Sequence, residues 1–168
     1  CISHFSRFLV ISTFFKFHAA GADGIITSYG HFTAEVIAAL PAARVISKTG
    51  TGVDNIDVEA ATAGGIAVCN VPAYGTEVVS DHAIALALAC LRRSNEIDAD
   101  MRAGVWDFAR RRPLGQVRGR TFAVVGYGNI GRATAVKAAA LGFSVVVWDR
   151  HGQPGTLTAE GFPHLAFD

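Results

Sequence analysis

The sequence predicts an α/β protein built on parallel sheet, and three observations carry that expectation. Short apolar runs rich in Val and Ile alternate with helical segments at the spacing of βαβ units. One of these runs, Thr121–Val125, opens directly into Gly126-Tyr-Gly-Asn-Ile-Gly131 and then into a further helical stretch. Of the 168 residues 51% are hydrophobic, which suffices for one packed core or two small ones.

The elements follow in order. The stretch Phe5–Phe17 is rich in Phe, and its residues are interrupted by Arg7, Ser12, Thr13 and Lys16. They are too short and too broken for a membrane span of roughly 20 apolar residues, and read as a helix or strand of a divergent or truncated first unit. Asp23–Thr27 reads as a strand. Thr33 can cap a helix over Ala34–Leu40, with Pro41 as its stop. Arg44–Lys48 is a second strand, closed by Thr49-Gly-Thr-Gly52. Asp57 can cap a short helix, Val58–Ala63, ended by Gly64-Gly65, and Ile66–Asn70 is a third strand. Val78–Arg93 is apolar nearly all round and is therefore expected to be buried, between two domains. Asn95–Arg102 continues as helix, and Val105–Gly119 reads as a loop with a turn around Trp106. After the glycine-rich turn, Arg132–Leu141 reads as helix and Phe143–Trp148 as strand, with Asp149 at its end.

Each residue type at that turn has a physical task. Gly126 permits the sharp exit from the strand, Gly128 lets backbone approach a pyrophosphate, and Gly131 lets helix and strand pack closely. The free N–H groups and positive end of the helix then face the phosphates. Asp149 stands eighteen residues beyond Gly131, where a carboxylate accepts hydrogen bonds from the adenine ribose hydroxyls and repels a 2′-phosphate. That favours NAD over NADP, although the adjacent Arg150 can accept a 2′-phosphate. The strand, helix, second strand and acid together raise the motif well above an isolated glycine pattern.

Composition excludes other classes. A net charge of +1 supplies no field that would select nucleic acid or an anionic membrane. The Arg110-Arg111-Arg112 run reads as a solvated loop checked by Pro113. Cys1, Cys69 and Cys90 form no metal or disulfide spacing. Cys69 and Cys90 are expected to be small buried hydrophobes, in keeping with a reducing cytoplasm. No metal cluster or Ser or Cys nucleophile motif is present. His82 beside Asp81 cannot form a facing pair, since neighbours on a helix diverge, so His82 is expected to pack or hydrogen-bond. Glu77 is expected to help start the long helix.

Thr49–Asp57, Gly65–Pro72, Glu77–Arg93 and Gly126–Gly131 with Asp149 occur in an order and spacing that resemble the D-isomer-specific 2-hydroxyacid dehydrogenases. That group includes phosphoglycerate dehydrogenases and the C-terminal-binding-protein corepressors. The likeness runs from about Asp23 to the end of the chain. It implies a partial flavodoxin-like substrate domain over residues 1–72. Residues 73–168 would supply an interdomain helix and the first part of an NAD-binding, Rossmann-type doubly wound parallel sheet. It implies that Gly50, Thr51 and Gly52 meet the substrate carboxylate. The cofactor would be held by Thr51, Gly126, Tyr127, Gly128, Asn129, Ile130, Gly131 and Asp149, with Asn70 supporting the loop. The family's catalytic Arg, Glu and His all fall beyond residue 168, so no catalytic residue is assigned; His164 lies too early in the chain to serve.

The reaction implied is hydride transfer between NAD and a small 2-hydroxy or 2-keto acid, by a homodimer of the full-length protein, with no nucleic-acid or membrane partner. A nucleotide-sensing binding protein of the corepressor type and a catalytically dead fragment are the alternatives. The missing initiating Met and the end at Asp168 read as signs of an incomplete chain. Such a piece is expected to be poorly soluble or only partly folded, with a sheet edge exposed.

Overall fold

The computed structural model describes residues 8–11 and 21–166. Most of the Phe-rich start lies outside the described residues, but Phe8–Ile11 within it is a strand, one of the two forms expected there. The chain divides into two compact units, Cys1–Tyr74 and Gly75–Asp168.

In the first unit, strands β1 (Phe8–Ile11), β2 (Gly24–Thr27), β3 (Val45–Lys48) and β4 (Ala67–Cys69) form a parallel sheet in that order. Helix α1 (Ala34–Ala38) joins β2 to β3, helix α2 (Val58–Ala63) joins β3 to β4, and the two helices pack against each other. Both helix starts are local chemistry. The Thr33 side chain accepts from the Val36 N–H, and that of Asp57 from the Ala60 N–H at 2.9 Å. Helix α1 stops two residues short of the expected end, where the Ala39 N–H turns back to carbonyls of the last turn. Ile25 and Ile46, opposite each other in the β2–β3 register, are both fully buried and centre a core with Phe32, Ile37, Leu40 and Ala61.

The second unit contains helices α3 (Thr76–Arg92) and α4 (Ser94–Arg102), then a single 3-10 turn over Phe108–Arg111. Strand β5 (Thr121–Val125), helix α5 (Asn129–Ala140) and strand β6 (Ser144–Trp148) follow. The two strands are parallel neighbours. Val147 of β6 also donates to Pro163 O and accepts from Leu165 N–H, both at 2.9 Å, in a parallel bridge with His164. The chain beyond β6 thus occupies a third strand position, giving the 3-2-1 order of one half of a Rossmann-type sheet. Val124, Ala135, Ala138, Val145 and Val147 form the core beneath α5.

Several expectations are corrected here. Helix α5 begins at Asn129 rather than Arg132, because Gly128 is its cap and the Arg132 N–H already bonds back to Gly128 O. Glycine's low helix propensity misplaced the start. Helix α3 is not buried all round: Val78, Val79 and Leu86 are exposed and Ser80 alone is fully enclosed, since α5 covers one face of it. Cys69, on the terminal strand of its sheet, and Cys90, late in α3, are exposed thiols. The turn expected around Trp106 lies at Phe108–Arg111, leaving Trp106 exposed. Among the described residues no helix is long and apolar enough to cross a membrane.

The arginine run is also not a solvated loop. Arg111 grips Asp100 of α4 with two hydrogen bonds, 2.5 and 2.7 Å, and Glu96 at 3.0 Å, while Arg110 stands 3.7 Å from Asp100. The Arg111 hydrogen bonds hold the Asp100 carboxyl below its ordinary value of 3.8. A carboxyl with a lower pKa folded than unfolded adds stability that is complete above the unfolded value and is lost as pH falls through the folded one. We expect the melting temperature of the second unit to drop as pH is lowered through about 4 and below. Asp100→Asn should lower it at neutral pH and flatten that acid slope in circular-dichroism melts. An unchanged slope in the variant rules Asp100 out as the acid-labile group.

Candidate functional site

Each unit carries one cluster of the residues singled out in the sequence. In the first, β3 runs into the turn Gly50-Thr51-Gly52, exposed at Thr51 and Gly52. Three bonds pin this turn to the segment after β4. Asn70 Nδ2 donates to Thr51 O at 2.7 Å, Thr51 Oγ1 donates to Val71 O at 3.2 Å, and Val71 N–H donates to Gly50 O at 3.1 Å. Asn70 therefore holds the loop, as its position suggested. The adjoining cleft is lined by Tyr29, His31, Lys48, Thr51, Asp54 and Asn55. Lys48 Nζ donates to Ser28 O and stands 5.6 Å from the Tyr29 ring centroid, so the cleft has a fixed cation on its wall.

In the second unit, β5 ends at Val125 and Gly126 turns the chain with φ 93°. That left-handed conformation suits glycine. Gly131 sits in the first turn of α5, where a Cβ would lie 1.9 Å from Gly126 O. The helix thus rides directly on the strand exit. A Cβ on Gly128 would meet nothing within 4 Å, so the space over that residue is open. Among the described residues no side chain caps α5, which leaves its first N–H groups for an external acceptor. Asn129 and Ile130 are the first two residues of the helix, so any contact they make through backbone is made by the helix end itself.

Asp149 follows β6 and its Oδ1 accepts the N–H groups of His151 and Gly152, both at 2.7 Å. The His151 N–H above all, with that of Gly152, holds its carboxyl below the ordinary value of 3.8 against the effect of burial. The acid is therefore ionised at neutral pH and oriented by its own turn. The ring of His164 lies against Gly152 and edge-on to Tyr127, 6.2 Å between centroids.

Two features escaped the sequence reading. The segment after Asp149 returns through a tight turn at Thr158–Phe162 and brings Glu160 to the glycine-rich turn. Tyr127 OH donates to Glu160 Oε2 at 2.6 Å, and Arg132 Nε lies 3.4 Å from Oε1. The Tyr127 hydroxyl lowers the Glu160 pKa, while burial and then this bond raise that of Tyr127. The second feature is Lys137 of α5, which reaches Asp81 at 2.6 Å, Ser80 at 2.7 Å and Glu77 at 2.8 Å on α3. Asp81 is thus engaged by Lys137, while its neighbour His82 is exposed rather than packed. Glu77 lies in the first turn of α3, as expected, and also pairs with α5. Neither Glu160 nor Lys137 belongs to a local sequence pattern.

A parallel strand, a glycine turn under a helix N-terminus, a second strand and an acid at its end are the arrangement with which doubly wound α/β proteins receive dinucleotides. The chain belongs to the D-isomer specific 2-hydroxyacid dehydrogenase family, whose catalytic-domain model matches residues 13–164. It is 38% identical over 135 residues to a D-3-phosphoglycerate dehydrogenase of Mycobacterium leprae, covering 80% of this chain and 25% of that protein. It is 42% identical over 119 residues to a glyoxylate reductase of Korarchaeum cryptofilum, covering 69% of this chain and 36% of the relative. A crystal structure of D-lactate dehydrogenase from Aquifex aeolicus, complexed with NAD and lactic acid, superposes with a TM-score of 0.73 at 25% identity, over 80% of this chain and 41% of that one. The chain thus spans about a quarter of the phosphoglycerate dehydrogenase it matches.

Proposed function

We propose that this chain is part of an NAD-dependent dehydrogenase of D-2-hydroxy acids. It would supply the carboxylate-binding loop of the substrate domain, residues 1–72, and the first half of the dinucleotide site, residues 73–168. The observation that carries the reading is the close seating of α5 on the strand exit at Gly131, where a Cβ would lie 1.9 Å from Gly126 O, together with the open space over Gly128. The break between compact units at Tyr74–Gly75 supports the division.

In this reading Gly126, Tyr127, Gly128, Asn129, Ile130 and Gly131 receive the pyrophosphate and Asp149 the adenine ribose, and Thr51 also contacts the cofactor. When bound, NAD supplies the hydride acceptor. The loop Gly50–Gly52 presents backbone donors to the substrate carboxylate, and the Asn70 bond keeps it from collapsing. Residues outside 1–168 supply the acid–base pair and the substrate-binding arginine. The ionised Asp149 supports NAD over NADP. The substrate is a small 2-hydroxy or 2-keto acid, the compartment a reducing cytoplasm and the full-length assembly a homodimer.

The test is a titration of the chain with NADH, NADPH and ADP, read by NADH fluorescence and calorimetry. Saturable binding of NADH, with NADPH weaker, is expected. No binding of any of the three at millimolar concentration overturns the reading.

A further inference from the structure

Arg132 is the one charged residue between Gly126 and Ala133. It sits four residues after Gly128, so the two share a helix face. Helical side chains lean toward the N-terminus, which turns the guanidinium toward the glycine turn rather than away from it. In the structure this cation is already engaged. Glu160 reaches it with Oε1 at 3.4 Å and takes the Tyr127 hydroxyl on Oε2 at 2.6 Å. The Arg132 contact is the looser of the two, and the Arg132 side chain is 59% exposed. Its guanidinium is thus free to swing to a better acceptor. A diphosphate offers paired oxygens that match the guanidinium fork.

We propose that Glu160 is a built-in anionic competitor at the dinucleotide half-site, holding Arg132 until the diphosphate of a dinucleotide takes it over. The proposal rests on the reading of the glycine turn given above and deepens it: Glu160 sets the affinity for the diphosphate, and Arg132 is the side chain over which the two anions compete. Tyr127 keeps the carboxylate beside the turn, so Glu160 both withholds the cation and adds a negative charge near the incoming phosphates.

The experiment is calorimetric titration of the full chain and its variants with ADP, NADH and adenosine at low and high salt. Glu160→Gln retains an acceptor for the Tyr127 hydroxyl but removes the charge. It should bind ADP and NADH about fivefold tighter at low salt, the size of one screened charge interaction near a surface, with the gain shrinking as salt rises. Adenosine, which has no phosphate, should bind both forms alike. Arg132→Gln, on an exposed side chain, should weaken ADP about fivefold without affecting adenosine, and in that background Glu160→Gln should gain less. Equal or weaker ADP binding by a folded Glu160→Gln chain overturns the proposal. So does a shift for adenosine as large as that for ADP, which would mark a merely structural role. If Glu160→Gln does not fold, the Arg132→Gln titrations decide: equal ADP affinity rejects the competition. Loss of ADP and NADH binding in the parent chain as well as the variants would instead remove the half-site reading and this proposal with it.

Discussion

Gly131→Ala should lower the melting temperature of the second unit by about 15 °C, a cost of roughly 3 kcal/mol for a unit of this size. The new Cβ would lie 1.9 Å from Gly126 O, 3.0 Å from the Gly126 carbonyl carbon and 3.2 Å from Val124 Cγ1. Two of these are backbone atoms that cannot rotate away. Gly126 is held by its own N–H bond to Trp148 O at 2.7 Å, so the strand exit cannot yield either. Helix α5 must lift, and it carries Ala135 and Ala138, both fully buried against the sheet. Alanine favours helix over glycine by about 1 kcal/mol, too little to offset an overpacked contact between two backbones. Gly128→Ala is the counterpart. Its Cβ would meet nothing within 4 Å, so the melting temperature should hold while NADH binding weakens, because the methyl would occupy the space proposed for the pyrophosphate. Thermal melts of both variants beside NADH titrations separate the two roles. Equal melting points for Gly131→Ala and the parent chain would remove the close-packing argument.

What could be read from the sequence was what short-range chemistry decides. The caps at Thr33 and Asp57, the bounds of α2 and the glycine turn depend on residues within a few positions of one another. What could not be read depends on distant partners. Arg111 looked solvated because its acceptor, Asp100, lies eleven residues back on another helix. The apolar composition of α3 spoke for burial, yet composition does not say which faces a neighbour covers, and α5 covers one. Cys69 was placed in a core by its apolar neighbours, but the terminal position of β4 in its sheet leaves it exposed. Glu160 carries no periodic signal. It reaches the glycine turn because residues 155–165 fold back along β6, a path set by backbone bonds such as Leu165 N–H to Val147 O.

Asp149→Ala should weaken NADH binding between about tenfold and a hundredfold, the range for losing hydrogen bonds to a charged acceptor, and should narrow the preference against NADPH. The carboxylate has two tasks. Its Oδ1 closes the turn through the His151 and Gly152 N–H groups, and it stands half-buried at the end of β6, where the proposed site places the adenine ribose. Alanine removes both, so loss of binding alone would not say which mattered. Asp149→Asn separates them: its amide oxygen still accepts the two turn N–H groups, but the charge that repels a 2′-phosphate is gone. With Arg150 next in the chain, NADPH should then bind Asp149→Asn nearly as well as NADH does, with little change in melting temperature. Fluorescence titrations of the three forms with both cofactors decide the matter. If Asp149→Ala leaves both curves where they were, the ribose is not held at Asp149. If Asp149→Asn keeps the parent's full discrimination, the preference for NAD comes from shape rather than charge.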